Sequence, residues 1–180
     1  MRGPAFVIFL NGVYGVGKSA ALEHIGDQLA DRGMPFSLMD VDWFHRSWPV
    51  AEDDPDNVAL EARNIASVWE TYQTAGPRQL IMSGVITSQE ALARYERATQ
   101  LRVRPIRLTA SFDVVRARLR ARYSSSQSSV LEWHMERLEG LEAELNAACV
   151  DEAALDTTHR SAQEVACRVL KHFGMSQHAL

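Results

Sequence analysis

The chain alternates between short, continuous apolar runs and longer segments in which apolar residues recur every three or four positions. A continuous apolar run rich in β-branched and aromatic residues is typical of a strand buried on both faces of a parallel sheet. Such runs predict strands at 5–10, 36–39, 79–82, 103–109 and within 150–156. Helical periodicity predicts helices at 18–32, 57–75, 89–99, 111–123, 130–147 and, after a capping box at Ser161 and Glu164, at the end of the chain. This alternation predicts an α/β fold with a parallel sheet flanked by helices.

Two segments interrupt the alternation. Residues 43–56 contain two tryptophans, two prolines and an acidic patch, which predicts a loop. The serine-rich residues 124–129 predict a flexible connection between two helices. The chain as a whole, 1–180, has the length of a single domain and can bury a full core without disulfides or metals.

A glycine-rich motif directly follows the first predicted strand. Residues 12–19 satisfy the phosphate-binding pattern G-x-x-x-x-G-K-[ST] in full, between a strand and a helix. Glycines allow positive φ angles, so backbone N–H groups can surround an anion at the start of the helix. The motif predicts a nucleotide site in which Lys18 reaches the β- and γ-phosphates and Ser19 ligates Mg²⁺. The residues predicted to hold the nucleotide are Gly12, Val13, Tyr14, Gly15, Val16, Gly17, Lys18, Ser19 and Ala20.

With this motif and without the N-K-x-D tetrapeptide of GTPases, the sequence resembles the small P-loop kinases. Among them it is similar to the nucleoside monophosphate kinases, adenylylsulfate kinase, gluconate kinase and chloramphenicol phosphotransferase. The resemblance implies a P-loop NTPase fold with a five-stranded parallel sheet and a small helical lid at about 116–135. It also implies Mg²⁺-dependent, in-line transfer of the γ-phosphate of ATP to a hydroxyl or phosphate group of a small molecule.

Two aspartates, Asp40 and Asp42, follow the second predicted strand. Ligands of open α/β sheets bind at this edge, and alternation places both carboxylates on one side if the strand extends that far. Asp42 matches the proposed base of chloramphenicol phosphotransferases, so the resemblance implies that it orients the acceptor and takes its proton. The alternative is that Asp40 caps the loop and Asp42 is a solvated turn residue.

The third predicted strand ends at Ser83 without an acid. Adenylylsulfate and gluconate kinases also have a serine here, whereas chloramphenicol phosphotransferases have acids. If the metal has a carboxylate ligand in addition to the Ser19 hydroxyl, that carboxylate must come from Asp40 or Asp42, and Asp40 is the expected ligand.

The helix at 111–123 carries arginines at every second position, of which Arg118 and Arg122 share a face because they are four residues apart. The R-L-x-x-R sequence that they enclose resembles the lid entrance of these kinases. The resemblance implies that Arg118 contacts the nucleotide and that Arg122 stabilises the transferring phosphoryl group. The segment 156–161 resembles the loop that closes over adenine, which implies a contact at Thr158.

Aromatic and basic residues are concentrated in the loop that follows the two aspartates. Large aromatic side chains with a few polar groups are what a small-molecule pocket needs. Trp43 and Trp48 have the alternative role of plugging the end of the sheet, and His45 and His134 are alternative bases. The residues predicted to bind the acceptor are Asp42, Trp43, Arg46, Arg63 and Trp133.

Composition limits the expected partners. A net charge of −4 and a pI near 5.9 give no basic surface of the kind that binds nucleic acid or an anionic membrane. No apolar run approaches the roughly 20 residues of a membrane helix, and the run 5–10 behind Arg2 is too short for a secretion signal, so we expect a cytoplasmic protein. Cys149 and Cys167 are expected to be buried free thiols. The sequence sets no oligomeric state.

Two further functions fit the same motifs. One is a nucleoside or nucleotide kinase proper. The other is a regulatory module that binds ATP as a conformational ligand without transferring phosphate. The serine at the end of the third strand favours this module, whereas Asp40, Asp42 and the lid arginines favour a kinase.

Overall fold

The computed structural model describes residues 5–175. Within this range, the strands form one parallel sheet. Its strands are β1 (Phe6–Asn11), β2 (Phe36–Asp40), β3 (Gln79–Ser83), β4 (Arg102–Thr109) and β5 (Ala153–Asp156). Their order is β2-β3-β1-β4-β5, and each adjacent pair is parallel. The predicted five-stranded parallel sheet is confirmed. Arg2, and with it the comparison with a secretion signal, lies outside the described residues.

Six α-helices connect and cover the strands within residues 5–175. At the last of them, the predicted capping box is present: Ser161 Oγ accepts from Glu164 N, and Glu164 Oε2 accepts from Ser161 N. No helix in this part of the chain is long and apolar enough to cross a membrane. The helices are α1 (Lys18–Asp31), α2 (Val58–Gln73), α3 (Gln89–Thr99), α4 (Phe112–Arg122), α5 (Ser128–Ala148) and α6 (Ala162–His172).

The central strand is buried on both faces because its side chains alternate between two apolar clusters. On β1, Ile8 and Leu10 pack in a cluster with α1, α4, α5 and α6. Val7 and Phe9 point to the other face and pack with α2 and α3. All four side chains are fully shielded from water, which contributes about 1.5–3 kcal/mol for each of them. The buried sheet therefore fixes the positions of the loops at its edge.

The carboxyl end of β1 is joined to neighbouring loops by the side chain of Asn11, which is buried. Its Oδ1 accepts from the backbone N–H groups of Gly12 (3.0 Å) and Ile86 (2.9 Å). Its Nδ2 donates to Ile86 O (3.2 Å) and to Asp151 Oδ1 (2.9 Å). One amide thus fixes the start of the glycine-rich loop relative to the loops that follow β3 and α5.

The serine-rich segment is helical, so the prediction of a flexible loop at 124–129 is wrong. Ser125–Gln127 form a 3₁₀ turn and α5 begins at Ser128. Serine side chains bond to nearby backbone and polar groups, which suits turns and helix starts. Here Ser124 N and Oγ both donate to Gln127 Oε1 over 3.2 Å. The predicted lid, 116–135, therefore consists of the end of α4, this turn and the start of α5.

Two smaller expectations are also corrected. Strand β2 ends at Asp40, and Val41–Trp43 form a 3₁₀ turn, so strand alternation does not determine where Asp42 points. Cys149 and Cys167 are exposed rather than buried. Cys149 is the left-handed residue that ends α5.

Candidate functional site

The glycine-rich loop adopts the backbone conformation that its glycines predict. Gly12 has φ 144° and Gly15 has φ 73°, both in the region that side chains rarely adopt. A Cβ at Gly12 would lie 2.5 Å from Leu108 O, and one at Gly15 would lie 2.9 Å from Leu119 Cγ. Larger residues would therefore push the loop away from β4 and α4. The loop leads directly into the N-terminus of α1, where free N–H groups favour an anion.

Lys18 is the buried cation of this loop. Its ammonium group donates to Gly12 O over 2.7 Å and to Val13 O over 3.1 Å. Burial lowers the pKa of Lys18 below its ordinary value, while the negative charges of Asp42 and Asp40 oppose that shift. A poorly hydrated ammonium group held against the loop is suited to a polyanionic ligand, because a phosphate replaces the water that it has lost.

Ser19 and Asp40 form the oxygen pair expected of a magnesium site. Ser19 Oγ donates to Asp40 Oδ2 over 2.6 Å, and Asp40 Oδ1 also accepts from Asp42 N at 3.4 Å. Within residues 5–175, no group of three or more His, Cys, Asp or Glu residues forms a metal cage. Mg²⁺ fits such a site, since it usually takes one or two protein oxygens together with phosphate oxygens and waters. Asp40 thus caps the turn that follows β2, as the alternative interpretation has it, and its carboxylate also accepts a hydrogen bond from the Ser19 hydroxyl.

Asp42 lines the same cavity as Lys18 and Tyr14. Its charge opposes the fall in the pKa of Lys18, and after burial it is the next cause of the raised pKa of Tyr14. It also contributes to the raised pKa of Tyr95, behind burial and Glu61. The negative charge of Asp42 therefore acts on the buried ammonium group of Lys18 from within the same cavity.

These groups line a cavity of about 420 Å³. It joins the glycine-rich loop, the end of β2, the last turns of α4 and the start of α6. A volume of this order suits a nucleotide-sized ligand. The lining residues are Tyr14, Gly15, Val16, Gly17, Lys18, Ser19, Ala20, Asp40, Asp42, Trp43, Arg46, Arg118, Arg122, Thr157, Arg160, Ala162 and Val165.

Arg118 joins three parts of the cavity wall. Its guanidinium group donates to Val16 O (3.0 Å) in the glycine-rich loop, and to Thr157 Oγ1 (3.1 Å) and Thr157 O (2.9 Å) after β5. The Thr157 hydroxyl itself donates to Val16 O over 3.0 Å. The predicted nucleotide contact at Arg118 is therefore compatible with the structure, but its N–H groups also bind the protein. We call this arrangement the Arg118 clasp.

Several predicted site residues lie outside the cavity. Gly12 and Val13 lie beneath it and bind Lys18 through their carbonyl groups. Thr158 Oγ1 donates to Asp156 Oδ1 over 2.6 Å, and its neighbour Thr157 lines the cavity instead. The predicted contacts of these residues with the nucleotide remain predictions.

Two predicted acceptor residues are also separate from the cavity. Arg63 is exposed on α2, where its charge acts on Asp54. Trp133 packs on Tyr14, with ring centroids 5.6 Å apart, and the Arg137 guanidinium lies 4.4 Å from its ring centroid. Through Tyr14, Trp133 touches the outer side of the glycine-rich loop.

The structure adds Arg160 to the cavity, a residue that sequence reasoning missed. Its guanidinium group donates to Asp156 O and lies 3.6 Å from Asp156 Oδ2. With Ala162 and Val165 it lines the end of the cavity next to α6. Its presence in the 156–161 segment was the available signal.

Comparisons with known proteins place the fold. No protein-family model matches the chain, and no curated protein matches it. Among solved structures, the tunicamycin resistance protein of Deinococcus radiodurans is 18% identical with a TM-score of 0.64, over 96% of this chain and 97% of that one. A gluconokinase from Sinorhizobium meliloti 1021 is 20% identical with a TM-score of 0.56, over 97% and 94%. The APS kinase of Mycobacterium tuberculosis, in complex with AMPPNP and APS, is 15% identical with a TM-score of 0.58, over 96% and 99%.

The chain therefore has the P-loop NTPase fold in the form found in small P-loop kinases. The resemblance to gluconate and adenylylsulfate kinases that the motifs indicated is confirmed at the level of the fold.

Proposed function

We propose that the protein is an ATP-dependent phosphotransferase that moves the γ-phosphate to a hydroxyl or phosphate group of a small molecule. The observation that carries this proposal is the meeting, in one cavity, of a phosphate loop, the Ser19–Asp40 oxygen pair and a second carboxylate, Asp42. A site built only to hold a nucleotide has no need of a second acid next to its phosphate-binding lysine.

Each part of the cavity has a role in this reaction. The loop amides and Lys18 bind the phosphates, and Ser19 with Asp40 would hold Mg²⁺, which neutralises charge on the phosphate oxygens. Asp42 orients an acceptor hydroxyl and takes its proton as the acceptor oxygen bonds to the γ-phosphorus. The bond from that phosphorus to the β-phosphate oxygen breaks, and ADP leaves. Arg122 stabilises the charge on the transferring group.

A regulatory module that binds ATP without transfer is the second candidate. It is favoured by the end of β3, where Ser83 is fully buried and its hydroxyl makes no hydrogen bond within the described residues. Strand β3 contains no acidic residue, so it supplies no carboxylate beside Asp40, with which Ser83 pairs in the sheet. Phosphoryl transfer to an acceptor separates the two functions.

Two measurements on the full chain test the proposed function. We expect calorimetry with ATP and Mg²⁺ to detect binding, with GTP as the comparison nucleotide. We then expect one acceptor from a set of nucleosides, nucleotides, sugars and hydroxylated antibiotics to stimulate ADP release. Binding without stimulation by any acceptor would support the regulatory module instead, and no heat with either nucleotide would contradict both.

The lid arginine gives a separate prediction. Arg122→Ala is expected to lower kcat by about tenfold or more, with a smaller loss of ATP affinity, because the guanidinium group acts on charge that develops in the transition state. Arg120→Ala is the matched control, since Arg120 is exposed on the same helix and does not line the cavity. An unchanged kcat in the Arg122 variant would rule out this role.

A further inference from the structure

A row of three hydrogen-bonded side chains lies beside the phosphate site, on the side of the sheet covered by α2 and α3. The Tyr95 hydroxyl of α3 donates to Glu61 Oε1 of α2 over 2.6 Å. The other oxygen, Glu61 Oε2, lies 3.0 Å from His45 Nδ1. Since a carboxylate only accepts, His45 Nδ1 carries the proton in this pair, and its Nε2 is left for a ligand or solvent.

The row leads from the core to the surface. Tyr95 is 4% exposed, whereas the side chains of Glu61 and His45 are 12% and 42% exposed. The loop that carries His45 is tied to α2, because Asn57 Nδ2 donates to His45 O and Asn64 Nδ2 donates to Phe44 O, each over 2.8 Å. The imidazole is therefore held in place although it reaches the solvent.

The row is joined to the phosphate cavity through the chain, because His45 stands in the sequence between Trp43 and Arg46, which both line that cavity. Burial raises the pKa of Tyr95 above its ordinary value, and the carboxylates of Glu61 and Asp42 raise it further. Two carboxylates from different elements thus act on the same phenol. Glu61 and His45 do not line the phosphate cavity. An acceptor that contacts both Asp42 and this row would therefore extend beyond the cavity, along the loop that carries His45.

The negative charge of Glu61 lacks a permanent cationic partner. Within residues 5–175, His45 is the only basic group in ion-pair contact with it. Arg63 is exposed on α2, and Arg46 lies over the Trp43 ring, 4.7 Å from its centroid, in the wall of the phosphate cavity. A shielded carboxylate of this kind attracts donors and cations and repels anions.

We propose that Glu61 and His45 bind the phosphate acceptor, and that this acceptor is an uncharged or amine-bearing hydroxylated molecule rather than an anion. The proposal rests on the phosphotransferase function above and names its substrate class. Hydroxyl or ammonium groups of the acceptor donate to Glu61, and His45 Nε2 binds a further polar group. Tyr95 fixes the orientation of the Glu61 carboxylate. The carboxylate or phosphate of an anionic acceptor would lie next to Asp42 and Glu61, where like charges disfavour it.

Two sets of hydroxylated probes that differ in charge test the substrate class. Glucosamine, glucose and gluconate form one set, and adenosine and AMP form the second. ADP release from ATP and Mg²⁺ is measured with each probe on the full chain. We expect stimulation by at least one of glucosamine, glucose and adenosine, and little or none by gluconate and AMP. Stimulation by the anionic probes alone, or by no probe in either set, would overturn the proposed class.

Variants then test the residues. Glu61→Gln is expected to lower the preference for the uncharged or cationic probe over its anionic counterpart by about tenfold, with a larger effect on KM than on kcat. If Glu61 had a purely structural role, the substitution would reduce kcat/KM for all probes together. That result would overturn the assignment of Glu61 to acceptor binding. Glu70→Gln is the matched control, because Glu70 is exposed on the same helix. If Glu61→Gln unfolds, His45→Gln at the surface end of the row must give the same change in preference.

Calorimetry with ATP separates this proposal from the one on which it rests. Intact ATP binding, combined with ADP release stimulated only by anionic acceptors, would overturn the substrate class and leave the phosphotransferase function standing. If the unmodified protein does not bind ATP, both the phosphotransferase function and the substrate class are overturned.

Discussion

Replacing Lys18 with alanine is expected to reduce acceptor-stimulated ADP release by about a thousandfold, comparable to the loss of a key donor to a transition-state oxyanion. The ammonium group is the only buried lysine cation in residues 5–175, and it is held against the loop by Gly12 O and Val13 O. Without it, the charge that builds on the phosphate oxygens has no fixed counter-charge inside the loop. Steady-state kinetics with the stimulating acceptor measures the effect.

The same substitution is expected to leave the protein folded. Burial of the Lys18 ammonium group lowers its pKa, which means that folding already pays to remove this charge from water. Removing the charge offsets the loss of its two hydrogen bonds, so thermal unfolding should change little. Lys171→Ala serves as control, because Lys171 is the other lysine of the chain and is exposed in the last turn of α6. Activity retained in the Lys18 variant would contradict the proposed phosphate site.

Asp42→Asn is expected to remove most of the transfer activity, by a factor of about a hundred or more, while ATP still binds. Asparagine keeps the volume of the side chain but does not accept the acceptor proton. Steady-state kinetics with the stimulating acceptor, together with calorimetry for ATP, measures both results.

Comparison with other acids of the same region makes the result specific. Asp53→Asn is the control, since Asp53 is exposed in the loop between β2 and α2. Asp40→Asn should also lower activity, but added Mg²⁺ should restore part of it, because Asp40 bonds to the Ser19 hydroxyl, the proposed metal ligand. Full activity in Asp42→Asn, or rescue of that variant by Mg²⁺, would show that Asp42 is not the base.

The fold could be predicted from the sequence because each strand and the phosphate loop are specified by residues that are adjacent in the chain. The run that becomes β1 is buried on both faces, and such a strand needs continuous apolar residues. The signal from the glycines of the phosphate loop is also local, because the positive φ angles at Gly12 and Gly15 disfavour any residue with a side chain. The prediction of a flexible loop at 124–129 was wrong because its local signal is ambiguous. Serine side chains suit both a mobile linker and a capped turn.

The residues proposed to bind the acceptor were harder to predict from the sequence. Glu61, Tyr95 and His45 belong to three separate elements and meet only when α2 and α3 pack on the sheet. On α2 itself, Glu61 and Arg63 are both charged residues in a helical pattern, and sequence alone favoured the arginine. The packing places Glu61 inward and Arg63 outward. Tertiary contacts, rather than periodicity, decide which of the two charges is shielded and which is exposed.

The Arg118 clasp has a consequence for how tightly a ligand can be held. The carbonyl group of Val16 accepts hydrogen bonds from both Arg118 and Thr157. Part of the conformational entropy of the glycine-rich loop is therefore lost during folding, before any ligand arrives. A nucleotide that enters such a preorganised loop has less disorder to remove, so more of its interaction free energy is available as affinity.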